Sequence, residues 1–80
     1  MLIDQVREIV LKTCRLSSPE AITPTSDLYA AGLSSLTTVH LMLALEDAFS
    51  VEFPDRLLGR KTFESVVAIA EAVAELGGHA

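Results

Sequence analysis

The chain has 80 residues, a net charge of −5 and no Trp, and half of it is apolar, drawn mainly from Ala, Val, Leu and Ile. That length suits one small domain spanning 1–80 with a core that needs efficient packing, and the acidic balance disfavours nucleic acid while favouring partners with basic patches. One cysteine excludes an internal disulfide, no apolar run approaches the roughly 20 residues of a membrane span, and Met1-Leu2-Ile3-Asp4 lacks a signal-peptide pattern, so the cytoplasm is the expected location.

Residues 2–16 read as a helix. Leu2, Val6, Ile9, Thr13 and Leu16 form a stripe, widened by Ile3, Val10 and Cys14. Asp4 and Glu8 fall early, and Lys12 and Arg15 late, as the helix dipole favours. Ser17-Ser18-Pro19 is the expected stop, and Cys14 is expected to be a packed, inert thiol. Residues 17–34 form a long connection, a length that is often functional. Ala21, Ile22, Leu28 and Tyr29 can pin it to the bundle, and Thr25-Ser26-Asp27 reads as a local turn or cap.

The next helix is expected over residues 35–50, opening at Ser34 or Ser35. Leu41, Met42, Leu45, Ala48 and Phe49 gather on its core face. Leu36, His40, Leu43 and Asp47 make a second stripe starting beneath Ser35, bordered by Val39 and Glu46. An apolar and acidic stripe of this kind suits a docking surface, although a broad core face would give the same pattern. Val51 to Asp55 breaks the helix, with Pro54 suited to a first helical position, and residues 55–59 can form one short helix. Thr62 is the expected cap of a last helix over 63–76. That helix buries Phe63, Val66, Val67, Ala70, Val73 and Ala74, with Ile69 beside them, and Gly77-Gly78 stops it. The fold class is therefore all-α: three longer helices, one short helix and a long first loop, in a small bundle.

The chemistry converges on Gly32-Leu33-Ser34-Ser35-Leu36. A serine at a helix start lies beside unpaired N–H groups and the positive end of the dipole, a setting that holds phosphate well. One of the two serines can equally be a plain N-cap. No catalytic residue is expected. Ser35 and His40 point about 140° apart on the helix, His79 lies in the terminal tail, and no His/Cys group has metal spacing.

The run Asp27-Leu28-Tyr29-Ala30-Ala31-Gly32-Leu33-Ser34-Ser35-Leu36-Thr37-Thr38-Val39-His40-Leu41 resembles the acyl carrier protein family, including the carrier domains of polyketide and nonribosomal peptide synthases. Ala44 to Phe49, Glu52-Phe53-Pro54, Thr62-Phe63 and Val66 continue the match, which covers nearly the whole chain. The resemblance implies a four-helix bundle, a monomer and a carrier rather than an enzyme. It implies that a phosphopantetheinyl transferase attaches 4′-phosphopantetheine from coenzyme A to Ser35. An acyl- or aminoacyl-activating ligase would then load the arm, and a downstream acyltransferase or synthase would unload it. Leu36, Val39, His40, Leu43, Glu46 and Asp47 are the docking candidates.

Some positions depart from the family pattern. Ser34 stands where many members have Asp, Thr37 and His40 stand where fatty-acid carriers are often acidic, and Arg56, Arg60 and Lys61 add positive charge, the Arg60-Lys61 pair reading as solvated. These departures point to a specialised carrier with dedicated partners. The motif does not separate acyl from aminoacyl cargo. Related stand-alone carriers take amino acids from enzymes resembling truncated aminoacyl-tRNA synthetases. A long acyl chain, if carried, would be lined by Val39, Leu43 and the nearby core. The rival class is an unmodified helical adaptor, which would bind its partner with or without the Ser35 hydroxyl.

Overall fold

The computed structural model describes residues 2–14, 16 and 19–78. The first helix, α1, runs Leu2–Thr13, and the Cys14 N–H closes its last turn on the Val10 carbonyl at 2.9 Å. It is shorter than the periodicity suggests, because Leu16 leaves the helical path and turns back into the core. The expected stop at Ser17 and Ser18, the late charge of Arg15 and the tail position of His79 lie outside the described residues. The deepest row of α1 is Val6, Val10 and Cys14, the i, i+4 neighbours on one side of the stripe; Leu2, Ile3 and Ile9 only flank it.

The second helix, α2, runs Ser35–Phe49 and the third, α3, Val66–Glu75. No strand occurs among the described residues. Helix α1 packs on both α2 and α3 and is the element they share. Leu41 and Leu45 are fully buried on α2, with Met42 and Phe49 beside them. Ala48, expected in the core, is exposed. On α3 the buried row is Val66, Ile69, Ala70 and Val73, joined by Ala72, whereas Ala74 faces solvent. Val67, also expected on that face, is only half-buried and stays outside the core. The two fully misplaced residues are alanines, whose small side chains give little gain on burial and so mark a helix face weakly.

The last helix starts three residues later than its apolar pattern suggests, and its cap is Ser65 rather than Thr62. The Ser65 side chain accepts from the Ala68 N–H at 3.1 Å. Residues 60–63 form turns instead: Thr62 N–H bonds to Gly59 and Phe63 N–H to Arg60, both at 3.2 Å. Phe63 is buried there, its ring 5.5 Å from that of Phe53 at a tilt of 49°. The carbonyl of Glu64 is drawn off to the Leu28 N–H at 2.8 Å, so it does not serve the helix. At its other end α3 closes on a Schellman motif: Gly77, at φ 92°, and Gly78 donate to the Ala74 and Val73 carbonyls.

The short helix expected over 55–59 is a single 3-10 turn, Asp55–Leu57, preceded by Pro54 in the cap position rather than inside it. A second 3-10 turn, Pro19–Ala21, lies in the first loop. Ile22 and Leu28 are buried and pin that loop, while Tyr29 is half-buried and Ala21 exposed. Burying such a side chain contributes roughly 1.5–3 kcal/mol, against about 1 kcal/mol net for a hydrogen bond. The apolar anchors therefore hold the loop, and the bonds fix its register.

The Ser65→Ala variant should lose about 1 kcal/mol of stability in urea denaturation, while Thr62→Ala should change it by less than about 0.5 kcal/mol. Burial pushes the Cys14 thiol from 9.0 up to about 11. The folded state thus favours the protonated thiol, a contribution intact below the ordinary value and lost as pH rises through the folded one. Wild-type stability should fall relative to Cys14→Ala between pH 9 and pH 11, followed by urea titration at stepped pH.

Candidate functional site

The path into α2 is built by the loop before it. Asp27 Oδ1 accepts from the N–H groups of Tyr29 and Ala30, at 3.0 and 3.3 Å, and starts a tight turn. Gly32 takes φ 118° within that turn, a backbone state that suits glycine. Leu33 N–H returns to the Leu28 carbonyl at 2.9 Å, with both leucines buried. The chain then emerges extended at Ser34, at φ −101° and ψ 168°, and α2 begins at Ser35.

The two adjacent serines differ in what they touch. Ser34 Oγ accepts from the Thr37 N–H at 3.2 Å and lies 2.8 Å from Thr37 Oγ1, while the Ser34 carbonyl takes both the N–H and the hydroxyl of Thr38. Ser34 is the N-cap, and its hydroxyl is committed. Ser35 is exposed, and its hydroxyl has no partner among the described residues. The N–H groups of Ser35 and Leu36 precede the first intrahelical bond, which is Thr38 to Ser34, and have no acceptor among the described residues. No acidic side chain occupies the first turn of α2. Its own first turn therefore sets no negative charge against the positive end of the dipole beside the Ser35 hydroxyl.

The stripe below Ser35 faces outward. Leu36 is 68% exposed, Leu43 53% and Val39 49%, and His40 and Asp47 are exposed with them. Glu46 departs from this group. Its carboxylate accepts from the Phe53 N–H at 2.8 Å and fastens the segment after α2 to the helix end. Leu58, 47% exposed, faces the same space from the segment after the 3-10 turn and was not singled out by the sequence. A signal existed in the Leu57-Leu58 pair, since adjacent residues point in different directions and a segment lying on the surface offers its core side to one of them; Leu57 packs on the core and Leu58 stays out.

Between α2 and this segment lies a cleft of about 410 Å³, with Ser35, Thr38, Val39 and Met42 on one wall and Leu58 to Arg60 on the other. Tyr29 and Phe63 also contribute to it. Of Val39 and Leu43, the candidates for lining a long acyl chain, Val39 borders this cleft and Leu43 does not. Arg60 is not merely solvated: its guanidinium carbon lies 4.2 Å from the centre of the Tyr29 ring. That contact joins residues 31 positions apart in the sequence and has no local signature. Among the described residues there is no group of His, Cys, Asp and Glu fit to hold a metal ion, and no helix long and apolar enough to cross a membrane.

The profile of the phosphopantetheine attachment site matches residues 4–73. The chain is 52% identical over 69 residues to an aminoacyl carrier protein of Agrobacterium fabrum, covering 85% of this chain and 83% of that one. Its fold is similar to a chain in the crystal structure of an engineered Bradyrhizobium japonicum glycine:[carrier protein] ligase complexed with a carrier protein from Agrobacterium tumefaciens and ATP. The TM-score is 0.87 at 46% identity, covering 94% of this chain and 99% of the other. A more distant likeness, at 28% identity and a TM-score of 0.67, is to a chain in the crystal structure of the Bradyrhizobium japonicum glycine:[carrier protein] ligase complexed with glycylated carrier protein, over 89% of this chain and 92% of that one. An exposed serine hydroxyl free of partners at a helix start, on a chain matched by that profile over most of its length, leads to one conclusion: the protein belongs to the acyl carrier protein family and is a carrier with 4′-phosphopantetheine as its cofactor.

Proposed function

We propose that Ser35 is the attachment point of the 4′-phosphopantetheine arm and that the cargo is an aminoacyl group, received from an amino-acid-activating ligase and passed to a downstream acyltransferase or synthase. One observation carries the attachment. Ser34 spends its hydroxyl on the helix cap, while the neighbouring Ser35 hydroxyl is exposed and unbonded. These residues fit the arm: Ser35 Oγ is free to bond, and the open N–H groups and dipole favour the negative charge of a phosphodiester. In the transfer, Ser35 Oγ bonds to the pantetheine-side phosphorus of the coenzyme A diphosphate, the bond from that phosphorus to the adenosine 3′,5′-bisphosphate leaving group breaks, and the hydroxyl proton passes to the transferase. When bound, the arm supplies a thiol that holds the cargo as a thioester. Cys14, buried and with its thiol pushed up to about 11, has no part in this chemistry.

The aminoacyl cargo is supported by the relative named as an aminoacyl carrier protein and by the fold neighbours described as complexes with a glycine:[carrier protein] ligase. Leu36, Val39, His40, Leu43 and Asp47 form the docking face for such a ligase. Exposed leucines at its centre suit a desolvated contact, and the polar groups beside them suit a rim. Glu46 supports that face from behind by holding Phe53. The whole chain acts as one carrier domain, with the 3-10 turn at Asp55–Leu57 standing where the family has its short helix. It is a cytoplasmic monomer that leaves bond-making to its partners.

Incubation with coenzyme A and a broad-specificity phosphopantetheinyl transferase, read by intact mass, should add one arm to wild type and none to Ser35→Ala. Ser34→Ala should still be modified, at a stability cost of about 1 kcal/mol from the lost cap. Modification of Ser35→Ala would move the site elsewhere. Leu36→Asp and Leu43→Asp should fold normally and accept the arm. With an aminoacyl-carrier ligase their loading efficiency should drop at least about tenfold, equal to 1.4 kcal/mol; unchanged loading would remove the docking assignment.

A further inference from the structure

The cleft beside Ser35 holds a cation that the carrier role has not absorbed. Among the described residues Arg7 donates to the Ile22 carbonyl at 3.0 Å and Arg56 pairs with Glu75 at 3.3 Å. Arg60 does neither, and its guanidinium finds no acceptor among the described residues. Its contact is with the Tyr29 ring, at 4.2 Å. Stacking of that kind occupies the flat face of a guanidinium and leaves the N–H donors along its edge available, in the fork that suits a phosphate. It also reduces the rotamer freedom a long side chain must give up when a ligand arrives.

The surroundings agree in sign. The protein as a whole is acidic, at −5. At this cleft, however, the open N–H groups of Ser35 and Leu36 and the positive end of α2 form one side, without an acidic residue in the first turn, and Arg60 lines the other. Its volume, about 410 Å³, falls within the range of roughly 300–1,000 Å³ for small-molecule sites. Below the charged mouth, Val39, Met42 and Leu58 offer apolar walls.

Resting on Ser35 as the attachment point, we propose that Arg60, held in place by Tyr29, is the protein's own counter-ion for the arm's phosphodiester and lays the first part of the arm along the cleft between α2 and Leu58-Gly59. Arg60 is a positioning residue. It biases where the arm rests between visits to partner enzymes and takes no part in making or breaking bonds.

The test compares ¹⁵N-labelled apo and arm-bearing protein by NMR, after intact mass has shown one arm per chain. On attachment, the Arg60 Nε–H signal and the Leu58 and Gly59 amides should shift, and the shifts should shrink as salt is raised. In Arg60→Gln the Leu58 and Gly59 shifts should vanish while those at Ser35 and Leu36 persist. Arg60→Lys, which keeps the charge without the fork, should retain part of them. A modified wild type whose Arg60 Nε–H does not move overturns the proposal and leaves Ser35 standing, as do full shifts in Arg60→Gln. A wild type that never gains the arm overturns both readings.

Discussion

The structure depends on how the first loop is tied to the segment that opens α3. Leu28 buries its side chain fully and gives its N–H to the Glu64 carbonyl. A few residues away, the Pro24 carbonyl takes the Val67 N–H at 2.9 Å, satisfying an orphan donor in the first turn of α3. Arg7 reaches from α1 to the Ile22 carbonyl. These ties make a long polar connection part of the bundle. They also set the height at which the chain turns at Gly32 and enters α2, and so where Ser35 is presented. The same bond that fixes the loop takes Glu64 out of helical service, so the start of α3 and the position of Ser35 are two results of one constraint.

Side by side, Ser34 and Ser35 separate the structural duty of a cap from the chemical duty proposed for Ser35. A helix start needs a side-chain acceptor for its orphan donors, and an attachment point needs a hydroxyl that is not so engaged. Placing the two needs on adjacent residues lets the helix end stay capped whatever happens to its neighbour. A related division runs along α2. Leu41 and Leu45 hold the core, Glu46 ties down the chain that follows, and Leu36, Val39 and Leu43 are left outward. The outward leucines are stable in that position because the helix has buried enough on its other side.

Local chemistry made the entry and register of α2 and the glycine stop of α3 readable, because a cap, a period and a positive-φ glycine each act within a few residues. The outward stripe was readable as geometry, though not as exposure. Where the reading failed, the deciding interaction came from elsewhere in the chain. Phe63 fits the apolar period of α3, yet its ring belongs to Phe53, and Ser65 won the cap from Thr62 because Leu28 had claimed Glu64. Glu46 looked like one more rim acid until its hydrogen bond to Phe53 appeared. The Arg60–Tyr29 stack belongs to the same class, since no window of sequence spans it.

Tyr29 has a further consequence. It is the sole tyrosine of a chain without tryptophan, so the principal ultraviolet fluorophore of the protein sits in the wall of the cleft beside Ser35, under a cation. The natural emission of the unlabelled protein is therefore a local signal from that cleft rather than an average over the fold. Events at that cleft can be followed optically in the native molecule, without the introduction of a dye whose bulk would compete for the same space.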